Sequence, residues 1–136
     1  MNKAIGFIGL GVMGSPMAGH LSNHHKISVF NRSLEKTKGW IKKYSGSECC
    51  SVKEISKVSD ILFLCVGNDN DVREIISNKD GALEHLKPGS CIVDHTTTSA
   101  DLAKEMNNLL STKNINYLDA PVSGGQAGAE SGQLSI

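Results

Sequence analysis

The chain has 136 residues, with 14 Lys and Arg balancing 14 Asp and Glu, 39% hydrophobic residues and 14 glycines. That is one domain with room for a core, and 34 Leu, Ile, Val and Phe exclude a disordered chain. The longest unbroken apolar run, six residues from Ile61 to Val66, is too short to span a membrane, and a formal charge of zero argues against general nucleic-acid binding.

In chain order, an apolar strand over residues 4–8 opens directly onto Gly9-Leu10-Gly11-Val12-Met13-Gly14. Met13, Met17 and Leu21 then recur at i, i+4 and i+8 and predict a helix, with Pro16 tolerated in its first turn. A second strand over 27–30 ends at Asn31-Arg32-Ser33, and Trp40 and Tyr44, four apart, read as a helix-face pair. A weak strand near 48–50 precedes Ser51-Val52-Lys53-Glu54, which has capping-box spacing. The run over 61–66 is apolar on both faces, as suits a central parallel strand covered by helices on both sides. Lys87-Pro88-Gly89 signals a turn into a strand over 91–94. Leu102, Met106 and Leu109 form the next helical stripe, with Asp101 in its first turn, and a strand over 117–119 follows. Gln133-Leu134-Ser135-Ile136 reads as the opening of a further strand. Such alternation with short connections predicts an α/β fold, a mostly parallel sheet with helices on both faces.

Charge is unevenly spread. Residues 1–58 carry nine Lys and Arg against three Asp and Glu, and residues 59–136 carry five against eleven, so the halves are +6 and −6. A basic half suits an anionic ligand, although Lys36, Lys38, Lys42 and Lys43 read mainly as a solvated helix face. The glycine-broken start, from Met1 to Gly9, does not read as a signal peptide. Cys49, Cys50, Cys65 and Cys91 form no C-x-x-C pair, which predicts a reduced, cytoplasmic protein.

Gly9-Leu10-Gly11-Val12-Met13-Gly14 is a G-x-G-x-x-G between a strand and a helix, the context that makes it a dinucleotide fingerprint of a Rossmann-type, doubly wound sheet. Gly9 permits the tight turn, Gly11 lets a pyrophosphate approach the backbone, and Gly14 lets the helix pack closely. Free amides at the helix start, with the positive end of its dipole, hold the anion. The second strand ends without the Asp or Glu that would bind a ribose 2′-hydroxyl. Arg32 can instead pair with a 2′-phosphate, Asn31 and Ser33 add polar contacts, and Lys36 stands one turn on. NADP(H) is therefore favoured, with NAD(H) possible. No metal site is expected: His20 and His24 stand four apart beside His25, but no third ligand joins them. His95, beside Thr96 at a strand end, is read as having a packing or solvent role rather than as a general base.

The stretch Gly6-Phe7-Ile8-Gly9-Leu10-Gly11-Val12-Met13-Gly14-Ser15-Pro16-Met17-Ala18 resembles the opening of the β-hydroxyacid dehydrogenases. That group contains 3-hydroxyisobutyrate dehydrogenase and the tartronate semialdehyde and glyoxylate/succinic semialdehyde reductases. Asp119-Ala120-Pro121-Val122-Ser123-Gly124-Gly125, followed by Gly128-Ala129 and Gly132-x-Leu134, resembles the same family's substrate loop. The resemblance implies that the Ser123 hydroxyl and the Gly124 and Gly125 amides hold a substrate carboxylate. It places Val66 and Gly67 against the cofactor, where the family often has Leu-Pro, so Gly67 is a departure. Asp94-His95-Thr96-Thr97-Thr98 matches the family's Asp-x-Ser-Thr stretch and implies that Thr97 bonds near the nicotinamide ribose. Ala100 stands where many members have proline.

The family's catalytic lysine belongs to a later helix, in a motif expected beyond residue 136, so no catalytic residue is assigned, and neither Lys104 nor Lys113 is promoted. The expectation is a dinucleotide-binding domain over 1–136, ending at the start of a strand, without the helical domain that carries catalysis and dimerisation. Its parent would be an oxidoreductase that transfers hydride between NADP(H) and a small 3-hydroxy acid or its semialdehyde. It would be a homo-oligomer with no nucleic-acid or membrane partner, and this chain alone would be inactive. Two alternatives stand beside it: a truncated, non-catalytic NADP(H)-binding module, and a 6-phosphogluconate dehydrogenase-like enzyme, which shares Val-Ser-Gly-Gly.

Overall fold

The computed structural model describes residues 3–136, so Met1 and Asn2, at the start judged unlike a signal peptide, lie outside the described residues. The elements run β1 (Ile5–Ile8), α1 (Gly14–Ser22), β2 (Ile27–Phe30), α2 (Leu34–Lys43), β3 (Ser47–Glu48), α3 (Val52–Val58), β4 (Ile61–Leu64), α4 (Asp69–Ser77), α5 (Ala82–His85), β5 (Cys91–Asp94), α6 (Ala100–Ser111), β6 (Asn116–Asp119) and α7 (Gly125–Ser131). The strands form one parallel sheet in the order β3-β2-β1-β4-β5-β6. This is the Rossmann order, and it reverses direction between β1 and β4, where such sheets open a crevice at the strands' carboxyl ends.

Register sorts the strand side chains onto two faces. Ile8, Leu64 and Asp94 lie side by side, as do Leu62 and Ile92. Leu62, Leu64 and Ile92 are buried with Ile55 of α3, Val72 and Ile76 of α4, Ala82 of α5 and Leu102, Met106 and Leu110 of α6. On the opposite face Ile5, Phe7, Ile27 and Val29 pack with Ala18 of α1 and Trp40 of α2. Trp40 is buried, and its indole N–H donates to the Ser15 carbonyl at 3.1 Å, while the Tyr44 ring lies against Gly19 of α1. The pair read as an ordinary helix face is thus the seam between α1 and α2.

The two faces are unequally covered. α1 and α2 sit over β1 and β2, so Phe63 and Val93 remain half-buried and Leu118 is 55% exposed. The run over 61–66 is therefore covered fully on one side only, and its strand ends at Leu64, after which the chain turns toward the crevice. Ser51 caps α3, its Oγ accepting from the Glu54 amide at 3.0 Å, while Glu54 Oε2 reaches back to accept from the Cys50 amide, one residue before the cap, at 2.9 Å. Within residues 133–136 the one β pairing is an isolated bridge. Gly132, left-handed at φ 71°, ends α7 and turns the chain back, and Ser135 makes an isolated antiparallel bridge to Ser123.

Candidate functional site

Ten of the expected cofactor residues line one cleft of about 690 Å³ at the carboxyl ends of β1, β2 and β4. Gly9, Gly11, Val12, Met13 and Gly14 form its floor, Asn31, Arg32 and Ser33 one wall, and Val66 and Gly67 another. The volume lies within the range of small-molecule and cofactor sites. Gly9 has φ 104°, which disfavours an L side chain, and a Cβ there would strike the Cys65 carbonyl of the adjacent strand end. A Cβ on Gly14 would strike the Gly9 carbonyl, so the helix start closes onto the turn itself. A Cβ on Gly11 would meet nothing within 4 Å: that position faces open cleft. The Gly11, Val12 and Met13 amides find no acceptor among the described residues, as expected where a helix begins.

Two of the expected cofactor residues lie elsewhere. Leu10 is buried, and its amide donates to Asn31 Oδ1 at 2.9 Å. Asn31 Nδ2 donates in turn to the Ser33 carbonyl, so both ends of this carboxamide tie the first turn to the end of β2. Thr97 is exposed and outside the cleft lining, whereas its neighbour Thr96 is buried and accepts from the Val66 amide at 3.0 Å. The Thr96 amide donates to Asp94 Oδ1, and the Tyr117 hydroxyl donates to Asp94 Oδ2 at 2.6 Å. Asp94 thus joins the ends of β4, β5 and β6 beneath the cleft. Burial, aided by the nearby Asp119 carboxylate, holds its carboxyl above the ordinary value against the hydrogen bonds that favour ionisation. Burial and Asp94 together keep the Tyr117 hydroxyl protonated. Cys65, which lines the cleft, is a neutral thiol, pushed up to about 11 by burial and the Asp94 charge.

The far wall escaped the sequence reading. Asp71, Glu74 and Ile75 of α4, with Asn78 and Asp80, face Arg32 and Lys36 across the cleft. The available signal was the spacing of Asn68 and Asp71: Asn68 Oδ1 accepts from the Asp71 amide at 3.0 Å and caps α4. Asp71 Oδ2 accepts from the Gly67 amide at 3.2 Å, and a Cβ on Gly67 would lie 2.6 Å from that oxygen. At Gly67, where the sequence departs from the family, the amide serves this cap, and a Cβ there would crowd the Asp71 carboxylate.

Ser123, Gly124 and Gly125 stand outside the cleft lining, at the exposed start of α7. The Ser123 amide is spent on the bridge to Ser135, whereas the Gly124 and Gly125 amides find no acceptor among the described residues. Gly124 at φ 135° and Gly125 at φ 63° hold a backbone that other residues rarely adopt. His95 stacks on Phe63 and its Nδ1 bonds the Ala120 carbonyl at 2.7 Å, fixing the lead-in to this loop.

Residues 4–136 match the family described as the NAD binding domain of 6-phosphogluconate dehydrogenase. A probable 3-hydroxyisobutyrate dehydrogenase-like protein of Arabidopsis thaliana, called mitochondrial, is 43% identical over 97% of this chain and 44% of its own length. The 3-hydroxyisobutyrate dehydrogenase of Mycobacterium tuberculosis, solved with L-serine, superposes with a TM-score of 0.88 at 29% identity, covering 98% of this chain and 45% of that one. Psf3, solved with NADP+ and 2-OPP, superposes equally well at 29% identity, covering 96% of this chain and 46% of that one. The chain spans about half the length of the curated relatives it matches.

Proposed function

The chain belongs to the family of the NAD binding domain of 6-phosphogluconate dehydrogenase, and from that premise we propose that it is the NADP(H)-binding half of a 3-hydroxyisobutyrate dehydrogenase-type oxidoreductase. The observation that carries this reading is the cleft itself. The Gly11, Val12 and Met13 amides find no acceptor among the described residues, Gly11 borders open cleft, and β2 is followed by Asn31-Arg32-Ser33 rather than by an Asp or Glu, with Arg32 and Lys36 lining the cleft. Those amides would hold a pyrophosphate, and Arg32, with Lys36, would neutralise a 2′-phosphate. A bound nicotinamide dinucleotide would supply or accept the hydride.

The chain's own residues bind and orient. Asn31 fixes the turn against the end of β2, and the Asp94–Thr96 pair fixes Val66 at the opposite wall. The Gly124 and Gly125 amides, with the Ser123 hydroxyl, would take the carboxylate of a small 3-hydroxy acid or its semialdehyde, in the manner of an anion nest. The general acid–base for the substrate oxygen would be a lysine outside these residues, in the additional length that the relatives carry, so this chain alone would not turn over substrate. A reducing, cytoplasmic setting fits the four free thiols. Assembly of the parent enzyme into a homo-oligomer belongs to the same proposal.

Calorimetric titration with NADPH and NADH tests the cofactor assignment. The expected outcome is tighter NADPH binding, weakened about tenfold or more by Arg32→Ala, as loss of a charge-assisted phosphate contact requires, with NADH affinity unchanged. Equal losses for both cofactors would remove the 2′-phosphate role of Arg32.

A further inference from the structure

We propose that His20 is a positioning residue that clamps the substrate loop onto the helix of the phosphate-binding turn; this rests on the reading of Ser123–Gly125 as that loop. His20 lies in the last turn of α1 and is not among the residues lining the cleft. Its Nε2 stands 2.9 Å from the Ala129 carbonyl and 3.0 Å from the Glu130 carbonyl, both at the end of α7. Carbonyls only accept, so Nε2 carries a proton and donates to both.

This clamp meets a specific need. α7 has seven residues and only one buried member, Ala129, so packing contributes little to holding it. The last carbonyls of a helix lack intrahelical partners, and here Gly128 and Ala129 accept from the Gln133 and Gly132 amides. His20 adds a donor from the opposite end of the sequence, across 109 and 110 residues. Its ring also lies 3.5 Å from the Cβ position of Gly132, the residue whose left-handed turn sends the chain back to pair with Ser123. The segment from Ser123 to Ser135 is therefore a closed loop held to α1 at its helical end. α1 begins at the glycine turn, so one helix fixes the anion-binding amides at its start and the substrate loop at its finish.

The test is NMR on the complete chain, comparing the parent with His20→Ala and His20→Gln. Glutamine places an amide donor at about the reach of Nε2. In the parent, the imidazole nitrogen shifts should show Nε2 protonated. In His20→Ala, amide exchange over 128–133 should quicken about tenfold, as loss of one hydrogen-bond donor shared by two carbonyls requires, while β1 is unaffected. His20→Gln should restore most of the protection. With NADP+ present, 3-hydroxypropionate should perturb Gly124 and Gly125 in the parent and in His20→Gln, and less in His20→Ala. Unchanged exchange in His20→Ala, or no rescue by glutamine, overturns the clamp. A clamp that behaves as expected while 3-hydroxypropionate leaves 123–125 unperturbed in the parent overturns the loop reading, and with it the positioning role.

Discussion

Asn31 and Asp94 are the two polar side chains on which the cleft's shape depends most directly, and neither needs to touch a ligand to matter. Asn31 spends its carboxamide on Leu10 and Ser33. Asp94 spends its carboxylate on Thr96 and Tyr117. Their energetics differ because one is neutral and the other titrates. The folded chain holds the Asp94 proton more tightly than the unfolded chain does, whose ordinary value is 3.8. The stability contributed by Asp94 is therefore fully present below that value and is lost as pH rises through the folded value. Asp94→Asn removes the titration, so its unfolding free energy relative to the parent should climb across that interval. Urea melts at a series of pH values check this, and a pH-independent difference would refute it. Asp60 and Asp69 are held below the ordinary value by hydrogen bonds from Ala4 and Ser99. Their contributions run the opposite way in both proteins and cancel in the comparison.

At the level of elements, the loop from β4 into α4 is the one whose sequence and geometry are most tightly matched. Gly67→Pro removes the N–H that Asp71 accepts and places ring atoms beside its carboxylate. It should lower the unfolding free energy by about 1–2 kcal/mol and quicken amide exchange in the first turn of α4; an unchanged melt would show that the Gly67–Asp71 bond contributes nothing. β1, β2, β4 and β5 were legible as strands because each is mostly apolar and runs to a turn or a polar end. The first turn of α3 was legible because Ser51 and Glu54 act on amides only a few residues away. α4 was not, because Val72, Ile75 and Ile76 are diluted by Asp69, Asn70, Asp71 and Glu74. α7 was not, because Gly125-Gln-Ala-Gly-Ala-Glu-Ser carries no apolar stripe and depends on an imidazole far away in the chain. The cleft followed the strands: its floor and two walls could be named from local sequence. Its far wall and the burial of Leu10 could not, since both depend on which strand ends meet.

Across the whole molecule, the charge imbalance between the halves becomes a property of the cleft. The basic half supplies Arg32 and Lys36 to one wall, and the acidic half supplies Asp71, Glu74 and Asp80 to the other. A ligand with a phosphate near the first wall gains more from this field than one without it, and salt screens that gain over about 10 Å at 0.1 M. NADPH affinity should therefore fall more steeply than NADH affinity as potassium chloride is raised, read from parallel titrations; identical slopes would mean that the basic wall does not sense a 2′-phosphate. The strand order has a consequence for how the chain is made. Ile5 pairs with Ile27 on one side and with Ile61 on the other, so the first of these six strands to be made is one of the two central ones. While a ribosome is still producing residues before 61, β1 and β2 can pair, but the other edge of β1 stays bare and apolar. An unpaired edge of that kind recruits other strands. A nascent chain stalled before Leu64 should thus be the form that most needs a chaperone, and release of β4 should be the step that ends the need.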